Sequence, residues 1–526
     1  MLQKNLPVKL NKLVLLLLVL SLLAACAPAT PTAPVAPAAS ATPVATDLPA
    51  APTATPTAVP TVAPTAVPTL PDGQRWMTHL TNDLLPFWDR PEALGNPVGN
   101  FPSERCDNGT AYDANTNPCP EIGQNGWLAL DLEYTVSRSR QIYGYGVAYH
   151  LTGDPRYLEY AKAGVDYLRQ NIIDRENGGS YLVRNNGVWE PAPEFRNPQE
   201  LAYSLLGISF YYYLTRDPEI LPDILAVKEF IFENYYNPDL NALQWMQASD
   251  GSGTNPLDKR LVAQLDNLNA YMVLVTPLLP EPEQSAWKAD MVKLANLMID
   301  EFYSEQDNLF FLTVNDPPQK SLKNADTDFG HSIKAMWMIY HVGQIAGVPD
   351  LVSFAQTNGP RILEQAYLAE NGSWANGYQA GGVLVKDKDW WVYNELDQFA
   401  MEMALADPSL ARYLPQTTDY YFRYFVDHEH GEVWTIVDNA TNQPKAGSLP
   451  KAWPWKNAYH TFEHALIGYI TAQQFKGQPV VLYYAFQQKP DENAIQPYFL
   501  RGDLVKLETE QKNGFTIYRV EFGNIR

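Results

Sequence analysis

The body of this 526-residue chain repeats one unit: a helical pattern, a stop, a proline, and a second helical pattern. Leu151-Thr-Gly-Asp-Pro155, Leu214-Thr-Arg-Asp-Pro218, Leu279-Pro-Glu-Pro282, Ala346-Gly-Val-Pro349 and Leu405-Ala-Asp-Pro408 are the five stops, with their prolines 63, 64, 67 and 59 residues apart. Proline suits a first helical turn because the N–H it lacks would be unsatisfied there anyway, and an acidic residue just before it can cap the helix. The stretch before each stop is apolar on nearly every face, as in Ala202-Tyr-Ser-Leu-Leu-Gly-Ile-Ser-Phe-Tyr-Tyr-Tyr-Leu214, and the stretch after it is amphipathic, as in Tyr157 to Leu168. All-round apolarity marks an inner helix and one-sided apolarity an outer one. A period near 60 is too long for common open solenoids. Five hairpins, plus an outer helix from Gln74 to Asp89 paired with an inner one from about Asn457, predict an all-α ring of six helical hairpins over 73–477. Loops carrying glycine and then aromatic residues, such as Gly178 to Tyr181, Gly372 to Trp374 and Gly431 to Trp434, would rim its central cleft.

The two ends read differently. After Gly477 the chain turns to short β-branched and aromatic runs, Val480–Phe486, Tyr498–Leu500, Val505–Thr509 and Thr516–Phe522, so 478–526 is expected to be a small β appendage packed on the ring. At the start, Lys4, Lys9 and Lys12 flank an apolar run from Leu13 to Leu22 that ends Leu23-Ala24-Ala25-Cys26, which resembles a bacterial lipoprotein signal. The resemblance implies an exported protein held at the cell membrane by lipid on Cys26, each buried methylene contributing about 0.8 kcal/mol. Residues 27–72 are almost wholly Ala, Pro, Thr and Val and hold 12 of the 42 prolines. They cannot pack a core and read as a disordered, extended tether reaching ~140 Å at about 3.1 Å per residue.

Composition excludes several function classes. At 46% hydrophobic and 18% charged the chain buries a core, and its formal net charge of −21 argues against binding nucleic acid or anionic lipid heads. Loss of the three leader lysines would take that to −24. Aromatics at 12%, with 13 Trp and 31 Tyr, suit a cleft in which flat rings meet a mono- or oligosaccharide. With Cys26 assigned to lipidation, Cys106 and Cys119 close a short loop and are expected to form a disulfide in an oxidising compartment. The acidic residues they enclose resemble a calcium loop, but Pro118 and Gln124 stand where an EF-hand needs Gly and Glu. Asp427-His428-Glu429-His430 has a spacing that can chelate zinc, yet it lies in a hairpin-joining loop. With no phosphate-cradling glycine loop and no nucleophile elbow, neither metal nor cofactor is expected.

The chemistry gathers at the starts of inner helices. Asp328-Phe-Gly-His331-Ser-Ile-Lys334 opens the fourth hairpin, Trp390-Trp391-Val-Tyr-Asn-Glu395 the fifth, and Lys456-Asn-Ala-Tyr-His460 the sixth, while Arg140-Gln-Ile-Tyr143 lies in the first inner helix. An imidazole near its reference pKa of about 6.5 both takes and gives protons at neutral pH. His150, His341 and His464, on apolar stretches, read as structural, and His79 falls in the first outer helix.

In order and spacing these motifs resemble those of N-acylglucosamine 2-epimerases and cellobiose 2-epimerases, over roughly 400 residues. The resemblance implies an (α/α)6 barrel and cofactor-free C2 epimerisation of an open-chain aldose through an enediolate. It makes His331 and His460 the acid/base pair, sets Arg140 near the sugar oxygen where charge develops, and has Trp391 and Glu395 line the pocket. Tyr143, Trp390 and Asp328 are grouped with them as substrate-binding, and Lys334, Glu463 and Lys456 as supporting residues. Three positions depart from the family pattern. No histidine occurs in the third inner helix, Gln264 to Met272; Lys334 replaces an acid, and Glu463 replaces an arginine. The last two look like a charge swap and are expected to form a salt bridge if adjacent. Two rival readings use the same scaffold: a glycosidase or unsaturated-uronide hydrolase working through Asp328 with Asp397 or Glu395, and a saccharide-binding lipoprotein without catalysis. Oligomeric state has no signal in the sequence.

Overall fold

A computed structural model describes residues 69–123, 128, 130, 132–189, 196–245, 259–314 and 320–526. The leader, Cys26 and nearly all of the tether lie outside the described residues.

Twelve helices build the ring. The outer set is α1 (Gly73–Thr78, His79–Leu84 and Leu85–Trp88), α3 (Pro155–Asn171), α5 (Leu221–Tyr235), α7 (Glu283–Leu297 and Met298–Phe302), α9 (Pro349–Ala366) and α11 (Leu414–Tyr420 and Tyr421–Phe425). The inner set is α2 (Thr135–Thr152), α4 (Pro198–Thr215), α6 (Leu261–Asn267, Leu268–Met272 and Val273–Val275), α8 (Phe329–Ala346), α10 (Trp390–Met403) and α12 (Tyr459–Phe475). Side-chain burial separates them as patterning predicts: α4 buries every residue from Leu201 to Thr215, whereas α3 buries the single stripe Tyr157, Leu158, Ala161, Val165 and Leu168. Helix α12 packs against both α2 and α1, so the chain ends close the (α/α)6 barrel.

The prolines divide in two. Pro155 and Pro349 occupy the first turn of α3 and α9. Pro408, behind its Asp407 cap, opens a 3-10 helix (Pro408–Arg412) ahead of α11, whereas Pro218 and Pro282 stand just ahead of α5 and α7; in α5 and α11 the first-turn place goes to Pro222 and Pro415.

One end of the barrel is braced. Strands Leu132–Tyr134, Lys259–Arg260, Thr327–Asp328 and Lys388–Asp389 each lead into an inner helix and pair antiparallel with the loop after the next outer helix, at Val183–Asn185, Thr313–Val314, Gly377–Gln379 and Ile436–Val437. Four inner-helix starts are thereby pinned by backbone hydrogen bonds at the end where the sequence gathers its chemistry.

The C-terminal segment forms a three-stranded antiparallel sheet in the order β1 (Val480–Tyr484), β3 (Phe515–Gly523), β2 (Asp503–Lys512). Past β1 the backbone hydrogen-bonds to the end of α4, with Ala485 N donating to Leu214 O at 3.0 Å and Gln487 N to Thr215 O at 2.9 Å. Tyr498–Leu500, expected as a strand, is instead a turn with Tyr498 at φ 62°. That left-handed backbone turns the Tyr498 ring into the barrel, where its N–H meets the Tyr213 hydroxyl at 2.8 Å. The competing force is burial: the ring is 3% exposed among aromatic neighbours, a gain that outweighs the cost of the rare backbone state.

Cys106 and Cys119 are disulfide-bonded. Their loop docks onto the barrel through Asp107, which accepts from Lys451 N at 2.7 Å. In the Asp427-His428-Glu429-His430 loop, Asp427 pairs with Lys451 at 2.5 Å and His428 turns to the Phe422 carbonyl at 3.1 Å.

Candidate active site

Asp328 does two jobs with one carboxylate. As N-cap of α8 it accepts from His331 N at 2.6 Å, and its other oxygen meets His331 Nδ1 at 2.7 Å. A helix cap and an oriented imidazole therefore come from residues three apart in sequence. With Nδ1 so engaged, Nε2 is the ring nitrogen left for chemistry. Next to it Gly330 makes room: a Cβ there would come within 2.5 Å of the Trp391 ring. The Trp391 ring contacts His331 at 4.6 Å and His460 at 5.9 Å between centroids, and so brings the two histidines of α8 and α12 to one aromatic platform.

His460 is supported differently. Its Nδ1 lies 3.2 Å from Glu395 Oε1, and the other oxygen of Glu395 accepts from Trp337 Nε1 at 2.8 Å. Glu463, one turn along α12, accepts from the Tyr498 hydroxyl at 2.5 Å. All three groups are buried, and burial moves each pKa away from its charged form. His460 falls well below 6.5, pressed further by Arg140, Lys334, His331 and Lys456. Glu395 rises to about 8 despite the Lys334 charge, with Glu463 adding to the rise. Glu463 rises to about 7, although the Tyr498 hydrogen bond and Lys334 oppose it.

Arg140 lies among the rings of Tyr203, Trp455 and Tyr459, at 4.5, 5.2 and 5.4 Å from their centroids, and donates to the Trp455 carbonyl. Its buried Nε has no hydrogen-bond partner, and no carboxylate pairs with it among the described residues. A guanidinium without a counter-ion beside the imidazoles can meet an oxyanion.

The remaining expectations are partly redirected. Lys334 forms its ion pair with Asp266 of α6 at 2.8 Å, and no Lys334–Glu463 salt bridge occurs among the described residues. The supposed swap thus runs through the third inner helix, the one that lacks the histidine. Asp266 also bonds Gln199 at 2.8 Å and Tyr203 at 3.2 Å, and burial of its charge is outweighed by Lys334, which lowers its pKa. Tyr143 is buried, its hydroxyl 2.9 Å from that of Tyr498. Trp390 is buried against Trp453, and Lys456 pairs with Glu432 at 3.0 Å. Asp397 is fully buried, taken by Trp374 at 2.8 Å and Thr417 at 2.6 Å, with His464 at 3.2 Å. Asp266, Trp455 and Tyr498 escape a sequence reading. The first follows no spacing rule, the second is hidden in a loop, and the third lies in a tail that resembles a surface appendage.

Glu395, His460 and Glu463 have ligand atoms within 4.8 Å of one another, a spacing that a small divalent cation could span. The donor set does not suit one. Lys334 already bears on both carboxyls, Arg140 and Lys456 on the imidazole, and Tyr498 occupies one Glu463 oxygen.

The profile of the N-acylglucosamine 2-epimerase (GlcNAc 2-epimerase) family matches residues 122–464. The chain belongs to this family. The chain is 23% identical over 410 residues to a cellobiose 2-epimerase of Ruminococcus albus, covering 72% of this chain and 94% of that one. Among solved structures, a sugar epimerase from a ruminal bacterium superposes with a TM-score of 0.64 at 19% identity, over 76% of this chain and 98% of the other. A D-mannose isomerase superposes with a TM-score of 0.63 at 17% identity, over 77% and 100%. These likenesses fix the (α/α)6 fold, and family membership makes the chain a sugar epimerase or isomerase by class.

Proposed function

We propose that this protein epimerises or isomerises the reducing-end aldose of a mono- or oligosaccharide by moving the C2 proton between His331 and His460. The observation that carries this reading is the pair of imidazoles against one Trp391 ring, each backed at Nδ1 by a carboxyl group. One Nε2 removes the C2 proton, the electrons pass into an enediolate, and Arg140 faces the charge that develops on the sugar oxygen. The other imidazole returns a proton to the opposite face. Net proton count is zero and no redox partner is needed. The hydrolase reading loses support because Asp397 is sealed in the core and Asp328 is committed to His331.

Proton NMR in deuterated water tests it: solvent deuterium should appear at C2 of an aldose and disappear from turnover in both His331→Ala and His460→Ala. Release of a new reducing end, or full exchange in both variants, would sink the assignment.

The same reading takes the protein to the outside of the cell membrane, anchored by lipid at Cys26 and held off the surface by the 27–72 segment. The Leu13–Leu22 run before Cys26 supports it, as does the Cys106–Cys119 disulfide, a bond typical of oxidising compartments. Metabolic labelling with palmitate should mark the wild type and leave Cys26→Ser unmarked.

A further inference from the structure

Beside His460 lie two buried carboxyl groups, and the two-histidine chemistry gives a part to only one of them, Glu395. Glu395 and Glu463 project from adjacent inner helices α10 and α12 and are each 1% exposed. Their oxygens and the His460 imidazole lie within 4.8 Å of one another. Glu463 is held by Tyr498, and Tyr498 in turn by Tyr143 and the Tyr213 hydroxyl. Glu395 Oε1 has no hydrogen-bond donor although it faces His460 Nδ1 at 3.2 Å. The charged groups bearing on the pair are Lys334 of α8, Asp266 of α6 and Glu402 of α10, and the titratable hydroxyls are Tyr143 of α2, Tyr459 of α12 and Tyr498. Arg140 of α2 bears on His460. One ammonium, Lys334, is already neutralised by Asp266. Two buried carboxylates this close, sharing only a lysine that Asp266 already pairs, do not both ionise.

We propose that Glu395 and Glu463 carry one proton and one charge between them, that Tyr498 of the C-terminal tail positions this pair, and that its proton sets the tautomer of His460. This rests on the epimerase reading of the cleft. When the charge sits on Glu395, His460 donates Nδ1–H to it and presents Nε2 as a base. When the proton sits on Glu395, Glu395 donates to Nδ1 and the imidazole N–H is at Nε2, an acid. Each turnover leaves one histidine a proton short and the other a proton over; the pair supplies or takes up the proton at His460, and exchange with solvent water returns the pair and His331 to their starting states. Tyr498 is a positioning residue: it stabilises the ionised form of Glu463 and so keeps the proton on Glu395. The tail is therefore part of the site.

The pair is tested on the full chain without substrate, by infrared difference titration of protonated carboxyl groups. The expected wild-type result is a buried carboxylic-acid band lost near pH 8, in keeping with burial of Glu395. Glu463→Gln should remove that step and leave a single one at lower pH, since Glu395 no longer has a like charge beside it. Tyr498→Phe, a change that removes only a hydroxyl, should raise the earlier ionisation, that of Glu463, by about one unit, the worth of one hydrogen bond to a charged group, and leave the step near pH 8 almost in place. The same shifts should appear in the exchange rate against pH, in the acidic limb for Tyr498→Phe and in the basic limb for Glu463→Gln, where a purely structural role would lower the rate at every pH alike. Titration of both carboxyls in the ordinary range, an unmoved Glu463 ionisation in Tyr498→Phe, or a band that changes on adding zinc or a chelator would each overturn the proposal. An intact titration with no C2 exchange would leave the pair standing and sink the epimerase reading instead.

Discussion

The two histidines of the cleft are built by opposite strategies. His331 takes its carboxylate from Asp328, three residues away and already fixed as the cap of α8, so the pair is complete once one helix turn forms. His460 takes its carboxyl from Glu395 on the neighbouring helix, and that group depends on Glu463, Lys334 and a tyrosine contributed from the far end of the chain. A local pair resists change because helix formation and orientation are one event. A tertiary pair can be retuned by any helix that touches it, and the departures from the family pattern at Lys334 and Glu463 fall on that side.

Four perturbations would sharpen or break this contrast. The largest effect is expected from His331→Ala or His460→Ala, each slowing C2 deuterium exchange about 10³-fold, the scale of acid/base catalysis. If either variant exchanges at the wild-type rate, its histidine is not part of the pair. Next, Lys334→Met strands Asp266 as a buried, unpaired charge and should cost about 3 kcal/mol in urea unfolding. Loss on the scale of a surface ion pair would show that Asp266 has another partner.

Smaller per pH unit is the pH dependence of stability. The folded protein holds Glu395 and Glu463 protonated above their ordinary 4.5, up to about 8 and about 7. Between those limits the folded state binds more protons than the unfolded one, so stability falls as pH rises from about 5 to about 8, by up to about 1.4 kcal/mol per pH unit for each extra proton bound. Thermal melts of Glu463→Gln should fall less steeply over that window; an equal slope would separate Glu463 from the titration. The smallest effect tests the local pair. Asp328→Ala should cost about 1 kcal/mol through loss of the cap, whereas Asp328→Asn keeps the cap and should unfold within about 0.5 kcal/mol of the wild type while still slowing exchange.

Sequence periodicity alone determined the ring. Helix faces, stops and prolines are local properties, written every 3.6 residues and every sixty, and they identify inner and outer helices before any contact is known. The same locality put Asp328 and His331 in one motif, together with the starts of α10 and α12, although the sequence reading set Asp328 on the sugar and the structure sets it on His331. What only the tertiary structure decided is which groups meet across helices. Lys334 turned to Asp266 and away from Glu463 because electrostatic pairing depends on where side chains converge, and no spacing along the chain records that. Tyr498 is the extreme case: a residue in a strand-like tail, 35 positions from Glu463 in sequence, entered the barrel because a buried aromatic ring and a buried carboxyl each needed what the other supplied.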